Sequence, residues 1–149
     1  MGRGNYGRRP LLGPQPGNRF STACVHSTAM SSRDAMELIS AQTFDLIILD
    51  IVMPEELGTV LLKKLREAGN RVPVIIYSVR VDATLEKEML QMGANEVMHK
   101  SVSLEVLIDR TEKVLRASGK RPPKSAEITR KLLVIDDDKI TRQLITFFF

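Results

Sequence analysis

Acidic side chains directly follow two apolar runs in this 149-residue chain. Asp50 follows residues 46–49, and Asp136 and Asp137 follow residues 132–135. A run that is apolar on both faces is typical of a central strand in a parallel sheet, and ligands bind outside the carboxyl ends of such strands. Carboxylates that crowd together repel each other, and a hard cation such as Mg²⁺ relieves that repulsion. The acid cluster therefore predicts a magnesium site at one edge of the sheet.

A hydroxyl and an ammonium group follow two further strand-like runs. Ser78 comes directly after residues 74–77, and Lys100 comes directly after residues 96–99. Phosphoryl transfer depends mainly on positioning and charge neutralisation, so a carboxylate nucleophile, a divalent metal, a hydroxyl and a lysine form a sufficient set. Each residue alone is more often a cap, a turn residue or a solvated side chain. Their joint placement after four strands favours the chemical interpretation.

The elements that must position these side chains alternate from residue 20 onward. Short apolar runs are separated by amphipathic stretches of helical length, which is the pattern of βα units and a mostly parallel sheet. The predicted strands are residues 20–26, 46–49, 74–77, 96–99 and 132–135. The predicted helices are residues 33–41, 58–68, 83–92 and 104–117, followed by one that begins near Lys139. The predicted N-caps are Ser32, Asp82 and Ser103.

The composition predicts a soluble protein with one core. Hydrophobic residues make up 43% and charged residues 27% of the chain, and no apolar run approaches the roughly 18 residues that a membrane span requires. The basic start is followed by glycine and proline and not by an apolar stretch, so we expect no secretory signal and a cytoplasmic location. The net charge of +4 matches the four arginines within residues 1–19, which leave 18 basic and 18 acidic residues elsewhere. The neutral remainder argues against nucleic acid as a partner.

The domain organisation follows from the same pattern. Residues 1–19 are rich in glycine and proline and are expected to form a disordered leader. Residues 20–117 carry the first four predicted strands. Residues 118–130 are polar and contain two prolines, as expected of a linker. Residues 131–149 carry the last strand and helix.

Three segments resemble the receiver domain of bacterial response regulators. They are residues 49–54 with Gly58, residues 73–78, and Gly93 with Ala94 leading to Lys100. The resemblance covers nearly everything from residue 20 onward. It implies phosphorelay signal transduction, in which the receiver takes a phosphoryl group from a phosphohistidine on a histidine kinase or histidine phosphotransfer domain. The downstream protein target is not specified by these residues.

The resemblance also implies a role for each candidate residue. Asp50 is similar to the phosphoryl acceptor. Asp136 and Asp137 are similar to the acid pair that binds Mg²⁺ together with Asp50, with the backbone carbonyl of Val52 as a further ligand. Ser78 is similar to the switch hydroxyl, and Lys100 to the phosphate-sensing lysine. The implied chemistry is self-phosphorylation and autodephosphorylation only, so an enzyme acting on other substrates is not expected.

The implied fold is flavodoxin-like, an α/β doubly wound sheet of five parallel strands in the order 2-1-3-4-5. This chain, however, carries the family's first strand and helix at its carboxyl end, as in a circular permutation. Without residues 132–135 the sheet has a central gap, at a cost of roughly 1–3 kcal/mol for each unsatisfied buried group. The linker of 13 residues reaches roughly 40 Å when extended, so the chain can fill its own gap. A fragment of a tandem-receiver protein, or a strand-swapped dimer, is the alternative.

Two departures and two rival functions accompany the resemblance. Ser101 stands where the family usually has proline, and Val97 stands where an aromatic switch residue is expected; Tyr77 is more often core than a substitute for it. The spacing of Asp136 and Asp138 also fits a haloacid-dehalogenase-type phosphatase. A pseudo-receiver that only binds partners is the other rival.

Overall fold

The computed structural model describes residues 24–53, 55–118 and 130–149. The predicted leader at residues 1–19 and nearly all of the predicted linker lie outside the described residues. Strands and helices alternate throughout the described part. The strands are β1 (Cys24–Ala29), β2 (Leu46–Leu49), β3 (Val74–Ser78), β4 (Glu96–His99) and β5 (Arg130–Ile135). The helices are α1 (Ser32–Ala41), α2 (Gly58–Glu67), α3 (Ala83–Gln91), α4 (Leu104–Ala117) and α5 (Lys139–Phe148).

The described strands form one five-stranded sheet in the order β1-β5-β2-β3-β4, with every neighbouring pair parallel. The carboxyl-terminal strand β5 lies between β1 and β2, in the slot that the 2-1-3-4-5 order assigns to the family's first strand. Ala29, Leu49 and Ile135 are in register at the carboxyl ends of β1, β2 and β5. This arrangement confirms the predicted flavodoxin-like α/β fold.

Strand β5 contributes to the hydrophobic cores on both faces of the sheet. Leu132, Leu133, Val134 and Ile135 are all fully buried. Leu133 and Ile135 pack in one core cluster, whereas Leu132 and Val134 pack in the other, because successive side chains of a strand point to opposite faces. Each such side chain stabilises the fold by about 1.5–3 kcal/mol relative to an exposed one.

Strand β1 extends beyond its predicted carboxyl end, and the predicted residues 20–23 lie outside the described residues. The prediction ended it at residue 26, whereas the structure has Cys24–Ala29. Ser27 and Thr28 are polar, which ended the predicted run, but their backbones pair with Leu133 and Val134 of β5. Pairing with a central strand therefore outweighs the polar side chains and carries β1 to the same edge as its neighbours.

The helix caps agree with the sequence at two of three positions. The side chains of Asp82 and Ser103 accept backbone hydrogen bonds at the starts of α3 and α4, as predicted. At α1 the cap is Ser31, which has extended backbone angles and accepts a hydrogen bond from the Asp34 N–H at 3.2 Å. The predicted cap, Ser32, is wrong because that residue is already the first helical one and is buried. Adjacent serines make this one-residue error hard to avoid from sequence.

Among the residues that the structure describes, no helix combines the length and apolar character needed to cross a bilayer.

Candidate functional site

Three carboxylates meet at the carboxyl edge of the sheet. The Asp50 N–H donates to the Ile135 carbonyl at 2.9 Å, and the Asp136 N–H donates to the Ala29 carbonyl at 3.0 Å. The sheet ladder thus extends one residue past the strands and holds both acids side by side. Carboxylate oxygens of Asp50, Asp136 and Asp137 all lie within 4.8 Å of one another. Asp50 and Asp136 are buried, and Asp137 is exposed.

Lys100 lies over two of these acids. Its backbone N–H donates to the Ser78 carbonyl at 2.8 Å, which anchors the end of β4 to the end of β3. Its Nζ is 2.8 Å from Oδ2 of Asp136 and 3.3 Å from Oδ2 of Asp50. Burial lowers the pKa of Lys100, but the contacts with Asp136 and Asp50 together outweigh burial and raise it. The ammonium therefore keeps its charge at neutral pH.

Asp136 has the most perturbed carboxyl group of the site. Burial raises its pKa from 3.8 to about 6, and the charge of Asp50 adds to the rise. Hydrogen bonds from Lys100 and from the Asp138 N–H, the latter at 2.9 Å, oppose it. One ammonium group against three carboxylates leaves the cluster net negative. An all-oxygen, negatively charged cluster is the donor set that Mg²⁺ prefers, so these residues fit the predicted cation.

We expect the titration of Asp136 to be visible in the stability of the metal-free protein. Because its folded-state pKa lies above its ordinary value of 3.8, its contribution to the free energy of unfolding is fully present below pH 3.8 and is lost as the pH rises to about 6. The loss is at most about 3 kcal/mol. Asp136→Asn is neutral at every pH and should lack this step. Urea unfolding in a chelating buffer checks the prediction, and identical pH profiles for the two proteins would contradict it.

The loop after Asp50 is held by short-range contacts. The Val52 N–H donates to Oδ1 of Asp50 at 3.2 Å, and this bond fixes the orientation of the carboxylate. Gly58, the first residue of α2, donates its N–H to the Ile51 carbonyl at 2.8 Å. A Cβ at position 58 would collide with the backbone carbonyl oxygen of Asp50. Glycine is therefore required here by close approach of two backbone segments.

Gly58→Ala is expected to lower the free energy of unfolding by about 2 kcal/mol, because backbone must move to accept the methyl group. The displaced atoms belong to Asp50, so any reaction at its carboxylate should slow as well. Gly69→Ala is the matched control. Gly69 has a positive φ of 79° but open space around its Cβ position. Gly69→Ala should therefore lower the free energy of unfolding by about 1 kcal/mol without affecting Asp50. Urea unfolding of both variants tests this, and a Gly58→Ala protein as stable as wild type would refute the steric requirement.

Ser78 ends β3 at the same edge and is buried. Its hydroxyl oxygen accepts a hydrogen bond from the Arg80 N–H at 3.3 Å. Tyr77 is buried in the core, and burial raises the pKa of its phenol. Val97 is partly buried and packs against the opposite core cluster. Ser78 therefore lies at the edge where the sequence predicts it, while Tyr77 has a packing role.

Asp138 caps the final helix. Its Oδ1 accepts from the Ile140 N–H at 3.2 Å, and its Oδ2 accepts from the Thr141 hydroxyl at 2.7 Å. The Thr141 bond is the main reason that the pKa of Asp138 is lowered. Its two-residue spacing from Asp136 suggested a phosphatase acid pair, but in this structure the Asp138 side chain caps a helix.

Sequence reasoning missed Arg142. Its Nη1 donates to the backbone carbonyl of Asp136 at 2.7 Å, which ties the first turn of α5 to the acid pair. A basic residue six positions after Asp136 is the only sequence signal of this contact. It is a weak signal, because arginine on a helix surface is usually solvated.

Comparisons with known proteins agree on one family. Residues 19–112 match the model of the response regulator receiver domain. The chain is 36% identical over 77 residues to the transcriptional regulatory protein CiaR of Streptococcus pneumoniae, which is 52% of this chain and 34% of CiaR. It is 26% identical over 128 residues to the response regulator MprA of Mycobacterium bovis, which is 85% of this chain and 53% of MprA. The chain thus spans about half or less of the length of these relatives.

Solved structures show the same likeness. The receiver domain of the Francisella response regulator 1452 superposes with a TM-score of 0.58 at 31% identity, over 60% of this chain and 74% of that chain. The activated receiver domain of Klebsiella pneumoniae RstA superposes with a TM-score of 0.54 at 28% identity, over 58% of this chain and 74% of that chain. With the family model matched over more than half of its residues, the chain belongs to the response regulator receiver family.

Proposed function

We propose that Asp50 accepts a phosphoryl group from a phosphohistidine on a histidine kinase or histidine phosphotransfer domain. The observation that supports this most directly is the cluster of Asp50, Asp136 and Asp137 within 4.8 Å, with Lys100 paired to two of the three. This is a carboxylate nucleophile beside a cation site and a fixed positive charge, as phosphoryl transfer requires.

In the proposed step, a carboxylate oxygen of Asp50 attacks phosphorus. The new O–P bond forms as the N–P bond to the donor histidine breaks, and the electron pair of that bond returns to the imidazole nitrogen. The Val52 N–H and the Lys100 ammonium hold the two carboxylate oxygens of Asp50 in place. Fixing the nucleophile in this way lowers the entropic part of the barrier.

The proposed Mg²⁺ ligands are Asp50, Asp136, Asp137 and the backbone carbonyl of Val52. When bound, the cation neutralises negative charge on the transferring phosphoryl group. Lys100 then exchanges its contact with Asp50 for a phosphoryl oxygen, and the Ser78 hydroxyl donates a hydrogen bond to another. The product carries a charge of about −1.5 to −2 at neutral pH, which draws both side chains inward and changes the adjoining surface.

The proposed output is a changed protein-binding surface. The proposed location of the phosphoryl transfer is the cytoplasm. The receiver comprises residues 20–117 and 131–149, joined by the linker. The central position of β5 in the sheet supports this organisation. We propose no turnover of external substrates, only phosphorylation and dephosphorylation of Asp50.

Incubation with acetyl phosphate and Mg²⁺ tests the proposal. We expect incorporation of one base-labile phosphoryl group per chain, detected by intact mass. When the metal is chelated before the incubation, we expect no incorporation. Absence of any label would favour the interaction-only pseudo-receiver. Steady release of phosphate from a generic phosphomonoester would favour the phosphatase instead.

A further inference from the structure

A side chain closes the turn that carries Lys100. The turn runs from His99 to Val102, whose N–H donates to the His99 carbonyl at 3.0 Å. Inside it, the Ser101 N–H donates to Nδ1 of His99 at 2.9 Å. The Ser101 hydroxyl oxygen lies 2.8 Å from the same nitrogen. The N–H and the hydroxyl of Ser101 therefore both contact Nδ1 of His99, and Lys100 lies between these two residues in the chain.

These contacts determine the tautomer of His99. A backbone N–H can only donate, so Nδ1 must be the acceptor and cannot carry a proton. Neutral His99 then carries its proton on Nε2. The imidazole therefore serves as a hydrogen-bond acceptor for the turn.

The bridge spans Lys100 on both sides. The Lys100 N–H is held by the Ser78 carbonyl at 2.8 Å, and His99 pairs in register with Ser78 across the two strands. With the next peptide held by His99, both peptide groups flanking the Lys100 Cα are fixed. A fixed Cα restricts where the flexible lysine stem can place Nζ, which here reaches Asp50 and Asp136.

We infer that His99 is a positioning residue for Lys100, with the His99–Ser101 bridge performing the restriction that proline supplies after the lysine in the resembling family. A proline at position 101 has no N–H and limits the residue before it. Serine at this position leaves the turn free unless a side chain holds its N–H. The inference rests on the proposed function only for its effect on phosphoryl transfer, since the bridge itself is a structural statement.

The competing role for His99 is packing at the end of β4, where it is partly buried. Two substitutions separate the roles. His99→Asn keeps a short side-chain acceptor, which commonly bonds the N–H two residues on in an Asx-turn. His99→Leu keeps apolar bulk and removes the acceptor. If His99 acts by bridging, the position of Lys100 should be kept in His99→Asn and lost in His99→Leu. If His99 acts by packing, the reverse is expected.

Two measurements test the bridge. Long-range ¹H–¹⁵N NMR of the wild-type imidazole should show the Nε2-protonated tautomer, and the Lys100 ¹³Cε resonance should move in His99→Leu but stay near wild type in His99→Asn. With acetyl phosphate and Mg²⁺, the labelling rate of His99→Leu should fall about tenfold below that of wild type. The labelling rate of His99→Asn should stay within about threefold of that of wild type. Glu96→Gln, on the same strand, is the control and should label as wild type.

Each outcome is decisive. A proton on Nδ1, or a Lys100 resonance and labelling rate unchanged in His99→Leu, would overturn the positioning role. If leucine prevents folding, His99→Phe supplies the second variant, because it keeps an aromatic ring at the end of β4 and removes the Nδ1 acceptor of the Ser101 N–H; a shifted Lys100 resonance is then expected, and an unshifted one would overturn the positioning role. Failure of the wild type to take up any label would count against the proposed function, and the two NMR readouts would still decide the bridge.

Discussion

Asp50→Asn is expected to reduce phosphoryl incorporation from acetyl phosphate to less than about a thousandth of the wild-type rate. The amide has nearly the shape of the carboxylate, and its oxygen can still accept the Val52 N–H that holds Oδ1 at 3.2 Å. It lacks the charge and nucleophilicity to form an acyl phosphate. The measurement is intact mass after timed incubation with Mg²⁺, with circular dichroism to show that the variant is folded.

The matched control for this experiment is Asp109→Asn. Asp109 is an exposed acid on α4 that pairs with Lys113 one turn later at 3.3 Å. A surface pair of this kind contributes little, so the labelling rate should equal that of wild type. Persistent label in Asp50→Asn would contradict the assignment and would direct attention to Asp136 and Asp137 as acceptors.

Leu133→Ala is expected to lower the free energy of unfolding by about 3 kcal/mol. Leu133 is fully buried at the centre of β5, where it pairs with Ser27 on one side and Ile47 on the other. Truncation leaves a cavity in the core cluster on one face of the sheet, which the close-packed side chains around it cannot easily fill. Urea unfolding monitored by circular dichroism measures the loss. Because Asp136 and Asp137 follow the same strand, labelling of Asp50 should be lost at a lower urea concentration in the variant.

Lys131→Ala is the control on the same strand. The Lys131 side chain is exposed, and the bond that its N–H donates to Asp45 at 2.8 Å is unaffected by truncation. The expected change is within about 0.5 kcal/mol. Equal stability of Leu133→Ala and wild type would mean that β5 does not occupy the sheet.

The same unfolding curves distinguish closure within one chain from strand exchange. When β5 completes its own sheet, the midpoint is independent of protein concentration. When two chains exchange β5, folding is coupled to association and the midpoint rises with concentration. Both arrangements place Asp136 beside Asp50, but exchange would make the acid cluster a property of the dimer.

Local features of the sequence predicted much of the site. Asp50 directly follows the fully apolar strand β2, and Lys100 directly follows strand β4. Parallel strands bring such ends to one edge, so the meeting of these groups follows from strand type alone. Asp82 and Ser103 were predictable as caps because a cap depends only on the cap residue and the next three residues. Ser31 and the end of β1 were not predictable, because one was decided among adjacent serines and the other by pairing with a strand about a hundred residues away.

By itself, the sequence determined the alternation of strands and helices, the acids at the strand ends and the family, because these depend on side-chain periodicity and short motifs. Only the tertiary structure decided that the chain's own β5 fills the gap between β1 and β2 that the resemblance implies. It alone placed the Lys100 ammonium between Asp50 and Asp136, and Gly58 against the Asp50 carbonyl. It also joined His99 to Ser101 across the lysine. Each of these depends on the direction of a side chain or the close approach of two backbones, and periodicity in a sequence contains no information about either.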